Sequence, residues 1–121
     1  MQRVAVVTGG TRGIGRAICE ALHESGYKVA ANYAHDEDAA WEFSEHAHIP
    51  VYRWDVADFD ACLAGIAEVE ADLGPVDILV NNAGITRDAT MKRMSRQMWD
   101  EVIDVNLGGC FNMAKAVFEG M

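Results

Sequence analysis

The apolar positions of this chain change period at regular intervals. Residues 3–8 carry Val4, Ala5, Val6 and Val7 without a polar break, the pattern of a strand covered on both faces. Beyond a glycine cluster, Ile14, Ala17, Ile18, Ala21 and Leu22 recur at i, i+3, i+4, i+7 and i+8, one stripe of a helix that Gly26 closes. Residues 27–33 predict a second strand, and 36–47 a second helix with a weak stripe through Ala40 and Phe43. Pro50 separates that helix from a third strand over 51–54. Asp58 predicts the N-cap of a third helix, whose stripe is Phe59, Cys62, Leu63, Ile66, Val69 and Leu73 and whose end is Gly74-Pro75. A fourth strand follows over 76–80, then a loop over 81–88. Ser95 predicts the cap of a last helix with apolar positions Trp99, Val102, Ile103, Cys110, Met113, Ala114, Val117, Phe118 and Met121.

Strands that alternate with helices pair in parallel through right-handed crossovers. The expected fold class is therefore α/β, a Rossmann-type doubly wound parallel sheet that stops after about four strands. Ligands of such sheets sit beyond the carboxyl ends of the strands, which directs attention to the segments after the first, third and fourth.

Composition narrows the function classes. At 121 residues and 13.2 kDa, half of them apolar and only two of them proline, the chain has the material for one folded domain over 1–121 and is unlike a disordered or disulfide-stapled sequence. Nineteen acidic against ten basic residues give a formal charge of −9, a field that repels nucleic acid and anionic membrane surfaces. No apolar run approaches the length of a membrane span and the first ten residues lack signal-peptide features, so the cytoplasm is the expected location. Cys19, Cys62 and Cys110 are scattered, without CxxC or paired histidine spacing, and are expected to be reduced packing residues rather than metal ligands.

The segment Thr8-Gly9-Gly10-Thr11-Arg12-Gly13-Ile14-Gly15 lies between a strand and a helix, the context in which a glycine pattern binds phosphate. Gly9 would permit a tight exit from the strand, Gly13 a close backbone approach to a pyrophosphate, and Gly15 close packing of the helix on the sheet. The free N–H groups at the helix start would face the anion. A glycine-rich turn without ligand is the alternative.

TGGTRGIG resembles the TGxxxGxG loop of the short-chain dehydrogenases/reductases, and Asn81-Asn82-Ala83-Gly84 is similar to that family's NNAG motif. Asp55-Val56 and Asn106 resemble two further family positions. Within the family, GGTRGIG, NNAGITRD and the run from Trp99 to Leu107 most resemble acetoacetyl-CoA reductases, with 3-oxoacyl-carrier-protein reductases close behind. The resemblance implies reduction of a 3-ketoacyl thioester by a nicotinamide cofactor bound through Gly9, Thr11, Arg12, Gly13, Ile14 and Gly15. It implies that Asp55 accepts from the adenine amino group beside a Val56 backbone contact. It also implies that Asn82, Ala83 and Gly84 lie along the riboses, that Ile85 packs near the nicotinamide, and that Asn106 is the catalytic asparagine of an Asn-Ser-Tyr-Lys tetrad.

From the residues alone, other readings stay open. Asp55 reads equally as a helix N-terminal acid, Asn81 and Asn82 as turn formers, and Asn106 as a kink before Leu107-Gly108-Gly109. Asp88 is either at the substrate mouth or a solvated loop acid. Arg87, Lys92, Arg93 and Arg96 would attract the phosphates of coenzyme A, or simply balance surface charge.

Charge selects the nucleotide. A ribose 2′-OH favours a carboxylate at the end of the second strand, whereas a 2′-phosphate favours a cation. This strand ends Ala30-Ala31-Asn32-Tyr33, with Tyr33 in the terminal place and Arg12 within reach, which predicts NADP(H). Asp36, Glu37 and Asp38 oppose that choice unless they form only the solvated first turn of the following helix.

The family's proton donor is a tyrosine in Tyr-x-x-x-Lys, and none of Tyr27, Tyr33 and Tyr52 has lysine four residues later. The resemblance thus covers the N-terminal half of the family pattern. The chain alone is expected to bind cofactor weakly, to turn over no substrate and to associate through a bare fourth-strand edge, the complete protein being a homo-oligomer. A non-catalytic nucleotide-binding module is a competing reading. A phosphoacceptor receiver domain is a third, opposed by Thr8 and Gly9 where an acidic pair would hold Mg²⁺.

Overall fold

A computed structural model describes residues 2–85 and 89–118. The elements run β1 (Val4–Val7), α1 (Gly13–Glu24), β2 (Lys28–Tyr33), α2 (Glu37–Ala47), β3 (Val51–Arg53), α3 (Phe59–Leu73), β4 (Val76–Val80), α4 (Arg96–Ile103), a π-helical turn (Asp104–Gly108) and α5 (Gly109–Phe118). All strand pairs are parallel and the sheet order is β3-β2-β1-β4, so the fold is the expected Rossmann-like α/β sheet with helices on both faces.

The unbroken apolar run of β1 serves two layers, as the pleat demands. Val4 and Val6 face a core with Trp54, Cys62, Ile66, Val69 and Met113, contributed by the segment after β3, α3 and α5. Val7 faces the opposite core of Cys19, Val29, Phe43 and Ile49 beneath α1 and α2. Pairing of β1 with β4 shifts register between Val4 and Ala5, a bulge that sets Asp77 beside the start of β1, where its carboxylate accepts from the Val4 N–H at 2.9 Å. The caps fall as the side chains dictate: Asp36, Asp58 and Ser95 accept from the N–H groups of Ala39, Ala61 and Met98.

Two stripes differ from expectation. In α1 the buried face is Gly15 and Cys19 flanked by half-buried Ile18 and Leu22, while Ile14, Ala17 and Ala21 are exposed. The helix lies too close to the glycine loop for its bulkier side to face inward: a Cβ on Gly15 would strike the Gly9 carbonyl. The last helix is interrupted rather than continuous. The π turn inserts one residue into the ladder and rotates the phase, so Trp99, Ala114 and Phe118 are exposed while Met113 and Val117 are buried. Met121 lies outside the described residues. Among those described, no helix is long and apolar enough to cross a membrane.

Candidate functional site

The chain leaves β1 towards β2 and β3, then returns to pair β4 on the other side of β1. That reversal opens a crevice at the carboxyl ends of the strands, and there a cavity of about 590 Å³ gathers the loops after all four strands.

The loop after β1 is held by Thr8, which is almost fully buried. Its Oγ1 accepts from the N–H groups of Asn82 and Ala83, both at 3.0 Å, and donates to the Val80 carbonyl at 3.4 Å. One hydroxyl thereby uses its whole hydrogen-bonding capacity to tie the β1 loop to the β4 loop. The Asn82 amide completes the tie by donating to the Gly9 carbonyl at 3.2 Å. Gly9 and Gly13 adopt φ of 62° and 56°, the left-handed conformation that glycine occupies without cost. A Cβ at Gly13 would meet nothing within 4 Å, so the backbone there is open to an approaching group.

Asn32, also buried, joins the other side. Its amide donates to the Trp54 carbonyl at 3.0 Å and its Oδ1 accepts from the Gly9 N–H at 3.4 Å. Past β2, Asp36 both caps α2 and lies 3.4 Å from the Arg12 guanidinium, so it belongs to the site and is not merely a solvated helix start. Glu37 is paired with Arg53 at 2.7 Å. After β3, Asp55 Oδ1 accepts from the Ala57 N–H at 2.9 Å, closing an Asx turn. Asn106, in the π turn, reaches Ile85 through both amide atoms: Oδ1 accepts from the Ile85 N–H at 2.8 Å and Nδ2 donates to the Ile85 carbonyl at 2.9 Å.

Gly9, Thr11, Arg12, Tyr33, Asp55, Val56, Asn82, Ala83, Gly84 and Ile85 all line the cavity. Gly13 and Ile14 lie outside its lining on the exposed start of α1, Ile14 being 75% exposed. Gly15 is buried against Gly9 and the Asn82 amide rather than on the sheet. Close packing of α1 on the sheet falls instead to Gly10, where a Cβ would stand 2.8 Å from Cys19 Sγ and 3.0 Å from Ala31 Cβ. Asn106 stands behind the lining, touching it through Ile85. Asp88 and Arg87 fall outside the described residues, and Lys92, Arg93 and Arg96 are exposed away from the cavity lining. Thr8 opens the glycine motif, though the motif predicts no structural role for it, and Asn32 belongs to no motif; the available signal is a polar residue at the end of an otherwise apolar strand.

None of the three cysteines lines the cavity. Burial, then the charge of Glu20, pushes the Cys19 thiol up to about 12; burial, then Asp58 and Asp55, pushes Cys62 up to about 11. Among the described residues, no group of three or more His, Cys, Asp or Glu could hold a metal ion.

The short chain dehydrogenase family model matches residues 3–121. The chain is 61% identical over 121 residues to the acetoacetyl-CoA reductase of Rhizobium meliloti, covering all of this chain and 50% of that protein. It is 47% identical over 117 residues to the 3-oxoacyl-acyl-carrier-protein reductase of Staphylococcus aureus, covering 93% of this chain and 48% of that one. A solved short-chain dehydrogenase/reductase of Serratia marcescens, a mutant form of that protein, superposes with a TM-score of 0.92 at 30% identity, over 98% of this chain and 51% of its own. The chain spans about half the length of the relatives it matches. With its glycine turn, its asparagine-rich loop after β4 and its π-turn asparagine all gathered at one end of a parallel sheet, this chain belongs to the short-chain dehydrogenase family.

Proposed function

We propose that this chain is the dinucleotide-binding region of an NADPH-dependent reductase of 3-ketoacyl thioesters, of the acetoacetyl-CoA type. The observation that carries the reading is the cavity at the crevice of the sheet, lined by the left-handed Gly9, Arg12 and residues 82–85. The residues fit an elongated dinucleotide. The open backbone at Gly13 and the unencumbered start of α1 suit a pyrophosphate. Asp55 would accept from the adenine amino group, and Asn82, Ala83 and Gly84 would follow the riboses.

NADPH, when bound, supplies hydride to the substrate carbonyl carbon. The residues of this chain position it. Arg12 would hold the 2′-phosphate, exchanging its contact with Asp36 for a stronger one. That contact is between exposed side chains and is worth only about 0–1 kcal/mol, whereas a guanidinium meets a phosphate with two parallel charge-assisted bonds. Asn106 would act by positioning: its amide atoms hold Ile85, so the wall near the nicotinamide keeps its shape. No tyrosine here has lysine four residues on, and we place the proton donor outside these 121 residues. Cysteines that are all free suit a reducing compartment, and we assign the protein to the cytoplasm.

The product of the complete reading frame should bind NADPH more tightly than NADH and oxidise it on adding acetoacetyl-CoA. Tighter NADH binding, or no nucleotide binding, would overturn the reading. The 47% identity to a carrier-protein reductase supports a second reading with the thioester on acyl carrier protein. A higher kcat/KM for acetoacetyl-carrier protein than for acetoacetyl-CoA would favour it.

A further inference from the structure

Residues 54–57 form the wall of the cavity after β3, and α5 holds this wall from behind. The Asn112 side-chain amide donates to the Val56 carbonyl at 2.9 Å. The Cys62 thiol, a weak donor, reaches the same oxygen at 3.5 Å. Gly109 approaches so closely that a Cβ there would come within 2.6 Å of Val56 Cγ2. The Trp54 indole N–H meets Met113 Sδ at 3.3 Å. Gly109, Asn112 and Met113 are spaced i, i+3 and i+4, so a single face of α5 grips the segment. On the cavity side of that segment, the Asx turn engages Asp55 Oδ1 and leaves Oδ2 outside the turn.

We propose that Asn112 is a positioning residue for purine recognition: by anchoring the Val56 carbonyl it holds the Asp55 carboxylate where it reads the exocyclic group of the base. The inference rests on the assignment of Asp55 to the adenine amino group made above. An ionised carboxylate only accepts hydrogen bonds, so it attracts a 6-amino purine and repels a 6-oxo purine. How sharply the protein separates the two therefore reports the placement of Asp55. Without the Asn112 bond the Val56 carbonyl keeps only the weak Cys62 thiol as donor, and the Ala57 N–H of the same peptide, which closes the Asx turn, is held less firmly.

The test compares NADPH with its hypoxanthine analogue, reduced nicotinamide hypoxanthine dinucleotide phosphate, on the product of the complete reading frame. The parent protein should prefer the adenine form by about tenfold or more, the size of one charge-assisted hydrogen bond. Asn112→Ala, and the isosteric Asn112→Asp that lacks the donor, should cut that preference to about twofold while the protein still melts cooperatively. Folded variants that keep the parent preference would overturn the positioning role. So would failure of both variants to fold, since Asn112 would then be a structural residue of the domain. A parent protein that does not separate the two nucleotides would sink the Asp55 assignment itself, and the inference with it.

Discussion

Asn106 engages both backbone polar groups of Ile85, accepting from its N–H at 2.8 Å and donating to its carbonyl at 2.9 Å. The side chain thus pairs with the β4 loop as a neighbouring strand would, and it can do so because the π turn brings the amide out of the helical stripe. Gly84 is part of the arrangement: a Cβ there would lie 3.2 Å from Asn106 Oδ1.

Asn106→Ala leaves two half-buried backbone groups without this partner and should cost about 1–3 kcal/mol, read as a lower denaturant midpoint. Asn106→Asp retains the acceptor but sets a carboxylate against the Ile85 carbonyl, and should cost at least as much. Both should weaken NADPH binding, because the wall at Ile85 loses its support. Unchanged unfolding and unchanged affinity would remove Asn106 from this role.

Thr8→Val is nearly isosteric and removes only the hydroxyl. The N–H groups of Asn82 and Ala83 then lose a common acceptor, at a cost of about 2 kcal/mol or more, whereas Thr8→Ser keeps the oxygen and should stay within about 1 kcal/mol of the parent. Urea unfolding of the pair measures the difference. Equal midpoints would show that the β1 and β4 loops are joined by other means.

Arg12 and Asp36 should act in opposite directions on the nucleotide. Arg12→Ala should weaken NADPH by about tenfold while leaving NADH nearly unchanged. Asp36→Asn, which frees the guanidinium, should tighten NADPH. Titration calorimetry at low salt gives the largest contrast, since these groups are exposed and a Debye length at 0.1 M is only about 10 Å. Parallel losses for both nucleotides would remove the 2′-phosphate assignment.

Alkaline pH should destabilise the fold. Cys19 and Cys62 ionise near 12 and 11 when folded, against an ordinary 9.0, and Tyr52 is pushed up too, chiefly by burial and its bond to Asp72. Between pH 9 and 11 the folded chain keeps protons that the unfolded chain releases, so stability falls as pH rises, by at most about 1.4 kcal/mol per unit for each thiol. Below that window the contribution is fully present. Guanidinium unfolding across the window should show the slope, and Cys19→Ala should flatten it. A flat profile in the parent would contradict the raised thiols.

Much of this site is legible in the sequence because its parts are local. The turn at Gly9, the N-caps Asp58 and Ser95, and the loop at residues 81–85 each follow from a few adjacent residues. The contacts of Thr8 and Asn32 are not legible in this way because their partners lie 74 and 22 residues away, and no local pattern encodes such contacts. The stripe of α1 departs from its period for a related reason. Periodicity marks Ile14 as inward, but close approach of Gly15 to Gly9 turns the helix and leaves Ile14 in solvent.

By itself, the amino-acid order determined the alternation of strands and helices, the parallel sheet and the glycine turn, since these rest on the period of apolar residues and on backbone preference. Tertiary structure alone decided which face α1 and α5 bury, the π turn that frees Asn106 for Ile85, and the grip of α5 on Val56. Those features depend on how closely distant segments approach, and close approach is a property of the packed whole rather than of any stretch of chain.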